Sequence, residues 1–138
     1  MIRRSKKYTQ GEAYRYLANA REILSQSPVE DNFYTDVKPV REAFGTAYLA
    51  ILEAIDEALI QRGLLKKELP KSVEAYRGVL RKQLSVNNGK LMREFDYLYD
   101  TLHIAGYYRG LIHETVLVKE ALNSAQRFIK KIIPHAEG

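Results

Sequence analysis

The stretch VREAFGTAYLAILEAIDEAL, residues 40–59, decides how this chain folds. Val40, Phe44, Ala47, Ile51, Ile55, Ala58 and Leu59 recur at spacings of three and four, the period of one face of an α-helix. At ~100° per residue, Tyr48, Ala50 and Leu52 widen that stripe to about half the helix circumference. A stripe so wide must meet more than one neighbour, which makes this helix central. Glu42, Thr46, Glu53, Asp56 and Glu57 gather on the other side and read as a solvated face. The ends are also marked: Pro39 stands in first-turn position behind Asp36, a candidate cap, and Gly63 supplies the stop.

Working outward, Thr9 and Glu12 read as a capping box for a first helix on which Ala13, Tyr16, Leu17, Ala20 and Ile23 share a face. It runs to the SQSP of residues 25–28, and VEDNFYTDVK follows as a loop. After the connector LLKKELPKS, Ser72 can cap a short third helix carrying Val73, Tyr76, Leu80 and Leu84. SVNNG, residues 85–89, is a turn, and Leu91, Phe95, Leu98, Leu102 and Ala105 mark a fourth helix. The fifth carries Val118, Ala121, Leu122, Ala125, Phe128, Ile129 and Ile132 before Pro134. No segment reads as a good strand. Short connections between amphipathic helices predict an all-α, five-helix up-and-down bundle, with residues 1–138 forming a single domain.

Composition narrows the class. The chain has 138 residues, 46% hydrophobic and 28% charged, as expected of a globular protein with one sizeable core. No apolar run approaches the ~20 residues of a membrane helix, so no membrane association is expected. The basic N-terminus is followed by no apolar segment, so no export signal is read and a cytoplasmic location is the default. The absence of cysteine excludes disulfides, thiol catalysis and thiolate zinc sites. The net charge of +5 is concentrated at Arg3, Arg4, Lys6 and Lys7; the other 18 Lys and Arg nearly cancel the 17 Asp and Glu. A basic groove able to neutralise a run of phosphates is therefore not expected. Residues 1–8 read as a short solvated arm.

The segment with most chemical content is TLHIAGYYRGLIHE, residues 101–114. If the fourth helix continued two further turns, Arg109 and His113 would extend its apolar stripe as an i, i+4 pair, suited to a cleft or a subunit interface. An ionised arginine aimed into a core is costly unless paired, and Gly106 and Gly110 each disfavour helix by ~1 kcal/mol relative to alanine. The favoured reading ends the helix near residues 106–108. RGLIH is then a corner, with Glu114 at the positive end of the fifth helix.

EAYRYLANAREIL in the first helix and the stretch at 40–59 resemble the HEPN superfamily of bacterial helical bundles, and LHIAGYYRG resembles a smaller bacterial family of unknown function in or beside it. The resemblance implies a bundle of about four or five helices, often dimeric. Some such domains accompany nucleotidyltransferases as partner or substrate-binding modules; others are metal-independent ribonucleases. The ribonucleases carry an arginine, a following polar residue, and a histidine after four to six intervening residues. The resemblance would make His113 the group working on the 2′-hydroxyl proton and Arg109 the one steadying phosphate charge, roles suited to imidazole and guanidinium. This chain departs from that motif, with three intervening residues and Gly110 after the arginine.

His103, beside Tyr99 and one turn before Tyr107, reads as a boundary histidine bonded to a tyrosine or the backbone. Among ten tyrosines, Tyr107 and Tyr108 are also candidates to stack on a base or a partner, against the plainer reading of a core with polar edges. Asp100-Leu-Thr-His103 is a single approximation to a di-iron motif that needs two such pairs, so no metal or other cofactor is expected. The sequence therefore points first to a non-enzymatic interaction module, a homodimer with a nucleotidyltransferase-type protein or RNA as further partner. The alternatives are a ribonuclease using Arg109 and His113, and a purely structural bundle.

Overall fold

A computed structural model describes residues 11–84 and 89–134. Five α-helices follow one another: α1 (Glu12–Ser25), α2 (Val37–Gln61), α3 (Val73–Val79), α4 (Lys90–Leu98) and α5 (Thr115–Ile132). Two of them continue as wider π-helix, α3 into Leu80–Leu84 and α4 into Tyr99–Tyr108. One hydrophobic cluster draws buried residues from all five helices, so the chain is an all-α bundle. None of the described helices is long and apolar enough to cross a membrane.

The central helix is as the sequence requires. Every residue of its main stripe is buried, and α2 packs against α1, against α5 and against the π-segment Tyr99–Tyr108. Asp36 caps it by accepting from the Lys38 amide at 3.1 Å. At the other end Gly63, with φ of 103°, lets its own N–H reach the Ile60 carbonyl and the Leu64 N–H reach that of Leu59. This is the Schellman closure, which satisfies carbonyls a helix end leaves unpaired. Ser72 caps α3 through the Ala75 amide at 3.1 Å.

Three local expectations are corrected. The acidic side of α2 is not simply solvated: Glu57 is only 2% exposed, accepting from the Gly11 amide at 3.2 Å and the Gln61 side chain at 3.3 Å. Asp56 is half-buried and accepts from the Tyr76 hydroxyl at 3.0 Å. The incoming end of α1 and the face of α3 thus cover carboxylates that α2 alone would leave wet. Next, α1 starts at Glu12 with Gly11 as its cap residue, and the Glu12 carboxylate pairs with Arg15. Thr9, the basic arm of residues 1–8 and residues 85–88 of the expected turn lie outside the described residues. Finally, the expected loop at 29–38 holds a small antiparallel hairpin, β1 (Val29–Glu30) and β2 (Phe33–Tyr34). Asp31 and Asn32 both take positive φ, 54° and 69°, as a two-residue type I′ turn demands.

Candidate functional site

The site begins with the face of α2 that carries Arg41, Phe44, Gly45 and Tyr48 and lies against Tyr99–Tyr108. The two backbones meet closely because glycine stands on both sides. A Cβ on Gly106 would overlap the Phe44 ring, lying 2.7 Å from Cδ1 and Cδ2, and one on Gly45 would lie 2.9 Å from Tyr107 Cδ1. Gly106 is buried against α2 while Ala105 is only half-buried. The wide helical turn therefore presents the residue without a side chain to the phenyl ring.

The wide helix ends in a corner. Gly110, with φ of 61°, reverses the chain, and the Arg109 and Leu111 amides donate to the carbonyls of Ile104 and Ala105, both at 2.9 Å. Arg41 reaches across from α2 and closes the last turn as a fork. Its Nε donates to the Tyr107 carbonyl at 2.8 Å and its Nη2 to that of Tyr108 at 2.7 Å. A cation at the negative end of a helix is favourably placed as well as hydrogen-bonded. Beyond the corner the hairpin ties the chain down: the Tyr34 amide donates to the His113 carbonyl and the Thr115 amide to that of Asn32, both at 2.9 Å. Glu114 sits at the N-cap of α5, as expected.

Of the sequence candidates, His103 and Tyr107 are brought together, and Arg109, His113 and Tyr108 are not. The His103 ring stacks on Tyr48 at 4.8 Å and on Tyr107 at 5.9 Å, with a tilted Tyr99 ring at 5.4 Å. The Arg77 guanidinium lies 5.8 Å from the Tyr99 ring centre and pairs with Asp96 and Glu74. Burial, with Tyr99 beside it, pushes the Tyr48 hydroxyl up to about 12 against the opposing pull of Arg77. The row is thus built of phenol rings around one imidazole, a packed seam between α2 and the wide helix.

Tyr108 projects to solvent at 68% exposure. Arg109 is exposed at the helix end, and His113 is exposed beyond the corner with its ring 5.7 Å from Phe33. No hydrogen bond or ring contact joins Arg109 to His113 among the described residues. Nor is any group of three His, Asp or Glu side chains placed to hold a metal among them.

Sequence reasoning missed Arg41, Phe33 and the paired glycines. One signal for Arg41 was available, an arginine one turn before Phe44 and Gly45 on the apolar side of α2. A further feature appears only in three dimensions. Of the eleven large apolar side chains exposed among the described residues, eight belong to the hairpin, the adjoining helix starts or the corner: Val29, Phe33, Val37, Tyr107, Tyr108, Leu111, Val116 and Leu117.

The chain so folded is an all-α helical bundle, and its sequence falls in a known family. Residues 8–134 match the domain of unknown function DUF5618, and the chain belongs to that family. A solved structure of a protein of unknown function from Dyadobacter fermentans is similar, with 32% sequence identity and a TM-score of 0.71 over 88% of this chain and 89% of that one. No curated protein matches the chain.

Proposed function

We propose that this protein is a non-enzymatic interaction module of HEPN-like type that pairs with a second copy of itself through the corner. The observation that carries the reading is the concentration of exposed apolar side chains there, with Leu111 at 59% and Val116 at 66% exposure beside Phe33, Leu117 and Tyr108. Apolar side chains gathered on neighbouring elements point to an interaction site, whereas scattered single residues do not. The same elements carry exposed or half-exposed side chains of both signs, Glu30, Asp31 and Glu114 against Lys38 and Arg109. A two-fold contact needs such a mixture, because each patch must complement itself. Arg41, Gly106 and the hairpin hold the surface in one conformation, which lowers the ordering cost of association.

Sedimentation of the wild type and of Leu111→Glu and Val116→Arg tests the reading. The wild type should be a dimer at micromolar concentration, and each variant a monomer with an unchanged thermal midpoint. A wild type that stays monomeric at ~100 μM, weaker than ~5.5 kcal/mol of association, refutes pairing through this face. Specific RNA cleavage that disappears in His113→Ala would replace the reading with an enzymatic one.

A further inference from the structure

A groove of about 580 Å³ opens between the C-terminal half of α1, the hairpin and the first turns of α5. Its size falls within the ~300–1,000 Å³ of small-molecule sites. Leu24 and Leu122, both buried, line it together with Tyr34 and give it an apolar floor. Arg21 on α1 and Lys119 on α5 supply its charge, and no aspartate or glutamate lines it.

The state of those two cations is the informative part. Arg15, Arg77, Arg127 and Lys131 each pair with a carboxylate. Arg21 does not. Its Nη2 donates to Asn123 Oδ1 at 3.2 Å and Gln126 Oε1 at 2.7 Å, two neutral amides that fix the guanidinium and leave its charge uncompensated. Its other N–H groups remain available as donors. Lys119 has no hydrogen-bond or ion-pair partner among the described residues. Burial raises the Tyr34 hydroxyl above its ordinary value, so at neutral pH it is a neutral donor and does not repel an anion. Two unneutralised cations over an apolar floor favour a ligand with charge at one end and hydrocarbon at the other.

We infer that this groove binds a small amphiphilic organic anion, with a carboxylate or phosphate headgroup held by Arg21 and Lys119 and a short apolar body lying on Leu24, Leu122 and the Tyr34 ring. The groove adjoins the corner, since Val29 and Thr115 line it and Lys119 lies one turn after Val116 on α5, but neither Leu111 nor Val116 lines it, so Leu111→Glu separates pairing from ligand binding.

Calorimetric titration of the full chain with hexanoate, hexyl phosphate, inorganic phosphate and hexanol tests it. At least one alkyl anion should bind one-to-one with a Kd below ~1 mM, which is modest for so few atoms. The stronger of the two identifies the headgroup. Inorganic phosphate and hexanol should each bind at least tenfold more weakly than that alkyl anion. Lys119→Glu changes an exposed side chain and should weaken the alkyl anion at least tenfold with the thermal midpoint unchanged. Arg21→Gln should do the same, and if it fails to fold, Lys119→Glu decides. Absence of saturable binding by both alkyl anions overturns the inference. So does hexanol or inorganic phosphate binding as tightly as they do, or binding indifferent to Lys119→Glu.

Discussion

Replacing Gly106 by alanine should destabilise the protein although alanine is the better helix former. The added methyl would stand 2.7 Å from Phe44 Cδ1 and Cδ2, nearer still to Cγ, and Phe44 is itself buried at 1% exposure. Carbon atoms pack at about 3.5–4.0 Å, so the ring or the wide helix must retreat by about an ångström. Overpacking of this kind costs about 1–3 kcal/mol, and the intimacy of the contact puts Gly106→Ala at the upper end. The ~1 kcal/mol of helix propensity gained offsets only part of that. The net expectation is a loss of about 2 kcal/mol, which lowers the melting point by roughly 4–10 °C. Urea unfolding followed by circular dichroism is the assay. Gly78→Ala in α3 is the control of opposite sign, since a Cβ there meets nothing within 4 Å and its φ is not left-handed. It should stabilise by up to ~1 kcal/mol. A double-mutant cycle with Phe44→Leu should show a coupling of ~1 kcal/mol or more, because the smaller side chain makes room for the methyl. If Gly106→Ala unfolds at the same or higher urea concentration than wild type, the close approach does not limit packing and the reasoning fails.

Two further outcomes follow from side-chain partners. Burial is the main cause lifting the Asp56 carboxyl from 3.8 to about 6, the Tyr76 hydrogen bond opposes it and Glu53 adds to it. The folded state thus holds that proton more tightly than the unfolded chain, so the contribution of Asp56 is fully present below pH ~4 and is lost as pH rises through ~6. Melts between pH 3.5 and 7 should show a shallower decline over that window for Asp56→Asn than for wild type; parallel curves would dismiss the assignment. Arg41→Ala removes two charge-assisted bonds to the Tyr107 and Tyr108 carbonyls and should cost about 1–2 kcal/mol at this exposed site. Hydrogen exchange should quicken at the Arg109 and Leu111 amides, and unchanged protection there would mean that Arg41 does not hold the corner.

The bundle was legible because apolar periodicity reports burial directly: Val40, Phe44, Ala47, Ile51, Ile55, Ala58 and Leu59 all end up inside. Gly110 and Glu114 announced the corner, since a reversal and a helix start have local chemistry. Glu57 was illegible because its partner, the Gly11 amide, arrives from another helix and bears no side-chain signature. The same holds for Arg41, whose partners are carbonyls. The hairpin has two residues per strand, too few to show alternation, and only the Asp31–Asn32 pair hints at its turn. Over one or two turns an apolar pattern does not separate i→i+4 from i→i+5 bonding. Gly106 therefore read as a helix breaker, while in the bundle it is the contact that admits Phe44.

The two backbone bonds between the hairpin and the start of α5 also set an order of events during synthesis. They join Asn32 to Thr115 and Tyr34 to His113, positions about 80 residues apart, whereas α1 and α2 are joined by a short connection and can dock early. A nascent chain on the ribosome can bury the α1–α2 seam while its last third is still unmade. The corner cannot close until α5 has emerged. The hairpin that carries Val29 and Phe33 therefore lacks its anchor for most of translation, and the surface proposed to meet a second copy is the last part of the molecule to acquire its shape. A chain shortened before Thr115 would lack Val116 and Leu117 from that surface, together with the Thr115 amide that ties the hairpin to the start of α5.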